Sequence, residues 1–195
     1  MSVMLSAASA IDWVAGVCGF ETPASLYEAV AEAGELSQQE VFLPYLSGER
    51  TPHNNADAKG VFFGLSHNTD KPRMGQAALE GVAFGLADGM DALIDAGAKI
   101  ENLSVIGGGA RSEYWGRILA STLNVPLVYR DSATVGPAYG AAQLARLGVS
   151  GESISDVCKP PPITHVVEPD SEIRERLSKQ RATFKSLYPL LKNHF

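Results

Sequence analysis

The sequence predicts an α/β domain, and two of its features support that prediction. Short apolar runs typical of buried strands alternate with longer segments whose apolar residues recur at helical spacing. Strands joined through helices are expected to run parallel, with the helices packed on the faces of the sheet. The chain has 195 residues, of which 45% are hydrophobic and 19% are charged, as is typical of one globular domain.

Two helices are predicted before the first strand. In residues 3–18 the apolar side chains lie on or near one helix face, and Trp13 is expected to be buried in the core. The second helix is expected to begin at Thr22, whose side chain can cap it, with Pro23 as its first residue. Gly34 is expected to end this helix.

A short buried strand is predicted over residues 41–46, and the polar stretch 47–60 that follows is predicted to be a long loop. Loops of this length in compact domains often carry function. Glu49 and Arg50 lie in the loop and have two interpretations, as residues that line a cleft between domains or as a structural ion pair. Of the two, we favour the structural ion pair.

The longest helix is predicted over residues 72–97, with Asp70 and Pro72 at its start. Glycines recur every four residues on one face of this helix, at Gly81, Gly85 and Gly89. Each glycine lowers helix stability by about 1 kcal/mol relative to alanine, so we expect another backbone to approach that face closely. Three acidic side chains are expected on the surface of the helix, namely Asp88, Asp91 and Asp95.

A second buried strand is predicted over residues 103–106, and three consecutive glycines follow it at Gly107, Gly108 and Gly109. The next helix is expected to begin at Ser112, whose hydroxyl can accept the amide of Trp115. Trp115 is expected to be a core residue, because it begins an apolar series at helical spacing.

The rest of the chain is predicted to contain a strand, a helix, a linker and a terminal helix. The strand covers residues 125–129, and the helix covers about 134–147. Residues 159–169 contain three consecutive prolines near their start and are expected to form a linker. The terminal helix, about 170–187, is expected to end before Pro189. Its predicted core residues are Ile173, Leu177, Phe184 and Leu187.

The glycine turn is a candidate anion site. Glycine permits positive φ angles and has no Cβ to keep a ligand away from the backbone. The N-terminus of the helix that follows offers unpaired N–H groups and about half a positive charge. Phosphate is the usual ligand of such a site, and a tight turn without a ligand is the alternative interpretation.

The composition limits the classes of function. A net charge of −6 without a basic stripe argues against binding to nucleic acid or to an anionic membrane surface. No apolar run reaches the length of a transmembrane helix, and a cytoplasmic location is expected. Cys18 and Cys158 are far apart in sequence and are expected to be reduced. The four histidines lack metal-ligand spacing, so no metal held by the protein is expected.

Two general nucleotide-binding patterns fit the glycine turn poorly. The Walker A pattern is absent, and the Rossmann pattern GxGxxG fits only at Gly107 and Gly109, because Ser112 stands at the third glycine position. Asp131 lies near the position expected for an acid that binds ribose. A Rossmann-like nucleotide-binding module without chemistry of its own is therefore an alternative.

Four longer motifs carry a more specific resemblance. They are FLPYLSGERTPHNNADAKGVFFGLSHNTD, ALEGVAFGLADGMDAL, IGGGARSEYW and VGPAYGAAQLARLG, in this order. With these motifs nearly the whole chain resembles the C-terminal half of the xylulokinases in the FGGY carbohydrate kinase family. YLSGERTPH is the most specific of the shared segments. The fold that the resemblance implies is an actin-like (ribonuclease H-like) ATPase domain, the C-terminal one of two domains around a cleft.

The resemblance implies ATP-dependent phosphorylation of D-xylulose to D-xylulose 5-phosphate, with Mg²⁺ accompanying the ATP; another pentulose or polyol kinase of the family is an alternative. It also implies that the catalytic aspartate, a phosphate loop and the sugar-binding domain lie upstream of the segment that matches Met1. We therefore expect a chain that is truncated at its N-terminal strands, has no catalytic residue and is inactive alone. The sheet surface left bare is expected to favour a homodimer.

The same resemblance implies a set of nucleotide-binding residues, which are Ala8, Asp12, Gly108, Gly109, Ala110 and Glu113. The backbone of the glycine turn would approach the phosphates of ATP or ADP. Asp12 and Glu113 depart from the related glycerol kinases, which have glutamine and asparagine there. A carboxylate cannot donate a hydrogen bond as an amide does. The implied division is a nucleotide-binding domain over residues 1–158, the linker over 159–169, and a helix with a tail over 170–195.

Overall fold

A computed structural model describes residues 1–34, 39–131 and 136–195, and of residues 110 and 111 the backbone alone. Within these ranges the α-helices are α1 (Ala8–Val17), α2 (Pro23–Ala33), α3 (Lys71–Asp95), α4 (Glu113–Leu123), α5 (Gly136–Ser150), α6 (Ile154–Val157) and α7 (Ser171–Leu191). The strands are β1 (Val41–Leu43), β2 (Val61–Phe63), β3 (Leu103–Val105), β4 (Leu127–Arg130) and β5 (Ile163–Val167). Short 3-10 helices span Gly108–Arg111 and Lys192–His194. In the part of the chain described, no helix combines the length and apolar character needed to cross a membrane.

The strands form two small sheets. In the first, β1 and β2 are antiparallel, with Val41 opposite Phe63. In the second, the order is β3-β4-β5, where β3 and β4 are parallel and β5 pairs with β4 in the antiparallel sense. The fold is mixed α/β, and the expectation of parallel strands holds for β3 and β4 alone among the strands described.

Two strands were not predicted from the sequence. Strand β2 is only three residues long and carries the half-exposed Phe63, so it has no run of buried apolar residues. Strand β5 lies within the stretch that we expected to be a linker, and its side chains are mostly exposed. Its backbone pairs with β4, which supplies the hydrogen bonds that an isolated extended segment would lack. The prediction of a linker is therefore wrong for residues 163–167.

Helix α3 forms the centre of the core. It contacts α1, α2, α4, α7 and β1, and its residues 75–89 are buried except for Leu86. The expected close approach of a backbone occurs at Gly81, which faces the carbonyl of Phe42 on β1. Gly85 and Gly89 instead face side chains, those of Met4 and Ser2. The prediction of a close backbone is therefore wrong for these two glycines. The segment before α1 covers this part of the helix with side chains.

Helix α1 begins at Ala8, five residues later than predicted. The preceding backbone is hydrogen-bonded to the 47–60 loop: the amide of Thr51 donates to the carbonyl of Val3 over 3.1 Å, and the amide of Val3 donates to the Thr51 hydroxyl over 3.1 Å. These tertiary bonds replace the helical ones that the sequence pattern predicted.

Several other predicted boundaries also change. Helix α5 continues to Ser150 and stops at Gly151, which has a φ of +70°. Its predicted start at residue 134 lies outside the described residues. Helix α7 continues through Pro189 to Leu191, although the proline cannot donate the helical hydrogen bond of its position. Strand β3 is only partly buried and Ile106 is 58% exposed, since β3 pairs with β4 on one side alone within the described chain.

Two side chains have the opposite burial from the one expected. Trp13 is 46% exposed, whereas Trp115 is buried as expected. Asp88 is buried rather than on the surface, and Arg181 of α7 lies 2.9 Å from its carboxylate. Helix α7 packs over this part of α3, which the spacing of residues within α3 could not indicate. The four predicted core residues of α7, Ile173, Leu177, Phe184 and Leu187, are all buried.

Candidate functional site

The glycine turn connects β3 to α4, as the sequence predicts. Gly107 has a φ of +94°, a conformation that favours glycine. A single 3-10 turn follows, and the hydroxyl of Ser112 accepts the amide of Trp115 over 3.2 Å to cap α4. A Cβ at Gly108 would meet no atom within 4 Å, so one side of the turn is open backbone.

The open side of the turn faces a cavity of about 740 Å³. Helices α1, α2 and α4 and the turn itself form its walls. Five of the six predicted nucleotide-binding residues line it, namely Ala8, Asp12, Gly108, Gly109 and Glu113. The sixth, Ala110, contributes its backbone to the same 3-10 turn, and its side chain lies outside the description. Pockets of several hundred Å³ are the usual size for small-molecule ligands.

Helix α2 supplies a wall that the sequence analysis did not predict. Its residues in the cavity are Pro23, Ala24, Tyr27, Glu28 and Ala31. Ser112 and Tyr114 at the start of α4 were also missed. The pattern of α2 predicts only a capped helix, and nothing in it indicates the neighbour that it faces. A signal did exist for Tyr114, because it adjoins Glu113 in a predicted site.

The charges in the cavity divide it into two parts. Asp12, Glu28 and Glu113 place carboxylates along the three helices. Burial and, to a smaller extent, the charge of Asp12 together raise the pKa of Tyr27 to about 12, so the phenol is protonated at neutral pH. At the turn, backbone N–H groups and the N-terminus of α4 favour an anion. A ligand that carries its negative charges at one end therefore fits best with that end at the glycines.

Gly109 has a second role in the packing of the turn. A Cβ there would lie 3.1 Å from Nε1 and 3.3 Å from Cδ1 of Trp115. These distances are tighter than ordinary contacts, so a side chain at this position would displace a buried ring. Gly108 and Gly109 thus differ: the first borders open space, and the second also borders the core.

Glu49 and Arg50 lie in the 47–60 loop and outside this cavity. Glu49 is only 2% exposed, and its Oε1 accepts the amides of Leu5 over 3.2 Å and Arg50 over 2.8 Å. Burial raises the pKa of the Glu49 carboxyl, and the two amides oppose that change. Among the described residues the favoured ion pair with Arg50 is not formed. Glu49 instead fastens the segment before α1 to the loop.

Across residues 1–34, 39–131 and 136–195, no three His, Cys, Asp or Glu side chains are grouped so that they could hold a metal ion. Cys18 and Cys158 are both free.

Known proteins have the same fold and a similar sequence. The sequence pattern of the FGGY family of carbohydrate kinases, C-terminal domain, matches residues 4–148. The chain is 46% identical over 192 residues to a protein of Escherichia coli (strain K12) named xylulose kinase, and 45% identical over 193 residues to a xylulose kinase of Klebsiella pneumoniae. The crystal structure of a xyloylose kinase from Brucella ovis superposes with a TM-score of 0.89 at 39% identity.

Each of these matches covers nearly all of this chain but only part of the other protein. The alignments include 98% of the chain for the two relatives and 100% for the crystal structure. In all three cases the chain spans 40% of the length of the protein that it matches. The fold is thus that of sugar kinases, and the Rossmann-like alternative, with Asp131 as its ribose-binding acid, is wrong.

Proposed function

The chain belongs to the FGGY family of carbohydrate kinases, and we propose that it is the nucleotide-binding part of an ATP-dependent sugar kinase. The observation that carries the proposal is the cavity of about 740 Å³, in which a glycine turn, a helix N-terminus and five residues chosen from the sequence meet. The turn provides the end of the site that binds the anionic phosphates, and helices α1 and α2 provide a pocket for the rest of a nucleotide.

In this proposal the phosphates of ATP or ADP lie against the backbone of Gly108, Gly109 and Ala110. Ala8 leaves room on α1 for the nucleoside, while Asp12 and Glu113 can accept hydrogen bonds from hydroxyl or amino groups. The bound Mg²⁺ accompanies the ATP phosphates and retains several of its waters. Phosphoryl transfer depends mainly on positioning and charge stabilisation, and this chain contributes the positioning of the nucleotide.

The proposed reaction is the phosphorylation of D-xylulose to D-xylulose 5-phosphate. The similarity to proteins named xylulose kinase supports this substrate. The catalytic aspartate and the sugar contacts are assigned to a part of the kinase outside this chain. Another pentulose or polyol as substrate is the alternative, since no residue described here is assigned to sugar recognition.

Calorimetric titration with ADP tests the nucleotide site. We expect the chain to bind ADP and Gly108→Val to weaken binding at least about tenfold, because the branched side chain fills the open side of the turn. Gly140→Val is the matched control: it lies on α5, away from the cavity, and a Cβ there also meets nothing within 4 Å. Equal ADP affinity in all three proteins would refute the assignment of the turn.

A coupled assay for ADP release tests the substrate. The protein used is a longer version that includes an upstream sugar-binding domain, and D-xylulose is compared with other pentuloses and with glycerol. The proposal is supported if kcat/KM is highest for D-xylulose. A higher kcat/KM for another sugar or polyol would make that compound the proposed substrate and would leave the assignment of the nucleotide site unchanged.

A further inference from the structure

Tyr114 forms a wall between two cavities. Its side chain lines the cavity of about 740 Å³ that holds the glycine turn, and also a neighbouring cavity of about 170 Å³. The smaller cavity is bordered by Arg176 of α7 and by Ala31 of α2. The ring therefore borders free volume in two directions, while it also packs against the hydrophobic core.

A chain of hydrogen bonds holds the Tyr114 ring by its hydroxyl. The hydroxyl donates to Oε1 of Gln76 over 2.6 Å, and the amide nitrogen of Gln76 donates to Oε1 of Glu80. Arg176 donates from Nη1 to the same Glu80 oxygen over 2.7 Å. The chain therefore runs from α4 through α3 to α7.

The two central residues of this chain are inaccessible to solvent. Gln76 and Glu80 are each 1% exposed, and burial raises the pKa of Glu80 while Arg176 opposes that change. Buried polar groups of this kind lose much of their stabilisation when one partner is removed. Arg176 lies on α7, beyond residues 4–148 that match the family pattern, so the family match does not assign it a role.

We propose that Arg176, Glu80 and Gln76 are positioning residues for the nucleotide site, and that they act by holding the Tyr114 ring at the wall of its cavity. This inference rests on the proposed function of that cavity. It makes helix α7 a determinant of nucleotide affinity although α7 does not line the cavity.

Titration of the 195-residue chain and its variants with ADP tests the inference. Tyr114→Phe removes only the hydroxyl anchor and is expected to weaken ADP binding about 3- to 10-fold, the range that corresponds to one net hydrogen bond. Arg176→Met and Gln76→Met break the same chain further from the cavity and are expected to have a similar effect. In the Tyr114→Phe background, neither is expected to weaken ADP binding further.

Arg181→Met is the matched control. Arg181 also joins α7 to a buried acid of α3, Asp88, over 2.9 Å, but it does not lead to Tyr114. We expect this variant to lower the denaturation midpoint and to leave ADP affinity unchanged, which separates positioning from general stability. Arg176→Lys retains a cationic donor for Glu80 and is expected to restore most of the affinity lost in Arg176→Met.

Gln76→Met leaves the ion pair between Glu80 and Arg176 in place, so it tests the inference even where Arg176→Met does not fold. Wild-type chain that binds ADP, with affinity unchanged in Gln76→Met and Tyr114→Phe, would overturn this inference and leave the nucleotide site intact. Affinity lost equally in Arg181→Met would also overturn it. Wild-type chain that does not bind ADP would overturn both proposals.

Discussion

The carbonyl oxygen of Phe42 lies against the α-carbon of Gly81, so closely that a Cβ on Gly81 would overlap it. Strand β1 crosses helix α3 at this point, in the buried core. Two backbones in such contact cannot separate without disturbing the packing on both sides, because protein interiors are close-packed. The glycine is therefore required by the crossing rather than by the conformation of the helix.

Gly81→Ala and Gly85→Ala are expected to have different effects on stability. Gly81→Ala should lower the free energy of unfolding by about 1–3 kcal/mol, because it overpacks against a backbone that cannot yield. At Gly85 a Cβ would lie 2.7 Å from Cε of Met4, the end of a flexible side chain. That chain can move aside, so the gain in helix propensity offsets the contact, and Gly85→Ala should stay within about 1 kcal/mol of wild type. Urea denaturation measures both, and equal losses would contradict the explanation.

The two tryptophans provide a second contrast. Trp115 is 5% exposed and Trp13 is 46% exposed. Trp115→Ala should lower the free energy of unfolding by about 3–5 kcal/mol, as expected for a large core residue. Trp13→Ala should lower it less, by about 1–2 kcal/mol, because nearly half of that side chain is exposed. A large loss in Trp13→Ala would mean that its face is covered in solution, and analytical ultracentrifugation would then show whether a second copy covers it.

Glu49 predicts a dependence of stability on pH. Its pKa is raised in the folded state, so the folded chain holds the proton to a higher pH than the unfolded chain. Below the pKa of Glu49 in the unfolded chain, the carboxyl is protonated in both the folded and the unfolded state, so no charge is buried on folding. As pH rises through the folded pKa, ionised Glu49 destabilises the fold. Glu49→Gln retains the oxygen that accepts both amides and has no such cost.

The stability of Glu49→Gln relative to wild type should therefore increase as the pH rises from about 4, near the unfolded pKa of a glutamate, and should level off above the folded pKa. Denaturation midpoints of the two proteins across this range measure the difference. Glu49→Ala, which removes the acceptor as well, should be less stable than both at every pH. A constant difference between wild type and Glu49→Gln would show that the carboxyl titrates alike in both states.

The 195-residue chain is predicted to lack kinase activity by itself. A positioned base contributes about 10²- to 10⁴-fold to the rate, and alignment of the two reactants contributes roughly 7–11 kcal/mol. The proposed function assigns both of these contributions to residues outside this chain. An ADP-release assay with D-xylulose should thus give no rate above background. Release that depends on D-xylulose and is abolished by Gly108→Val would show that the catalytic residues are within the chain.

Local sequence determined the starts of α2, α3 and α4 and the glycine turn. Thr22 with Ser25, Asp70 with Arg73 and Ser112 with Trp115 form the caps that the residue types predict. Each cap joins residues three positions apart, so its geometry depends on the adjacent backbone and little else. The positive φ of Gly107 likewise follows from a strand that must turn directly into a helix.

Tertiary structure alone decided which surfaces meet. The α2 wall of the cavity, the burial of Asp88 under α7 and the pairing of β5 with β4 each join segments far apart in sequence. Such contacts depend on how all the elements pack together. The sequence of one segment does not indicate which other segment will cover its side chains. The resemblance to known kinases led to Ala8 and Asp12, but the pairing of α2 with the glycine turn became visible only when the core had brought α1, α2 and α4 together.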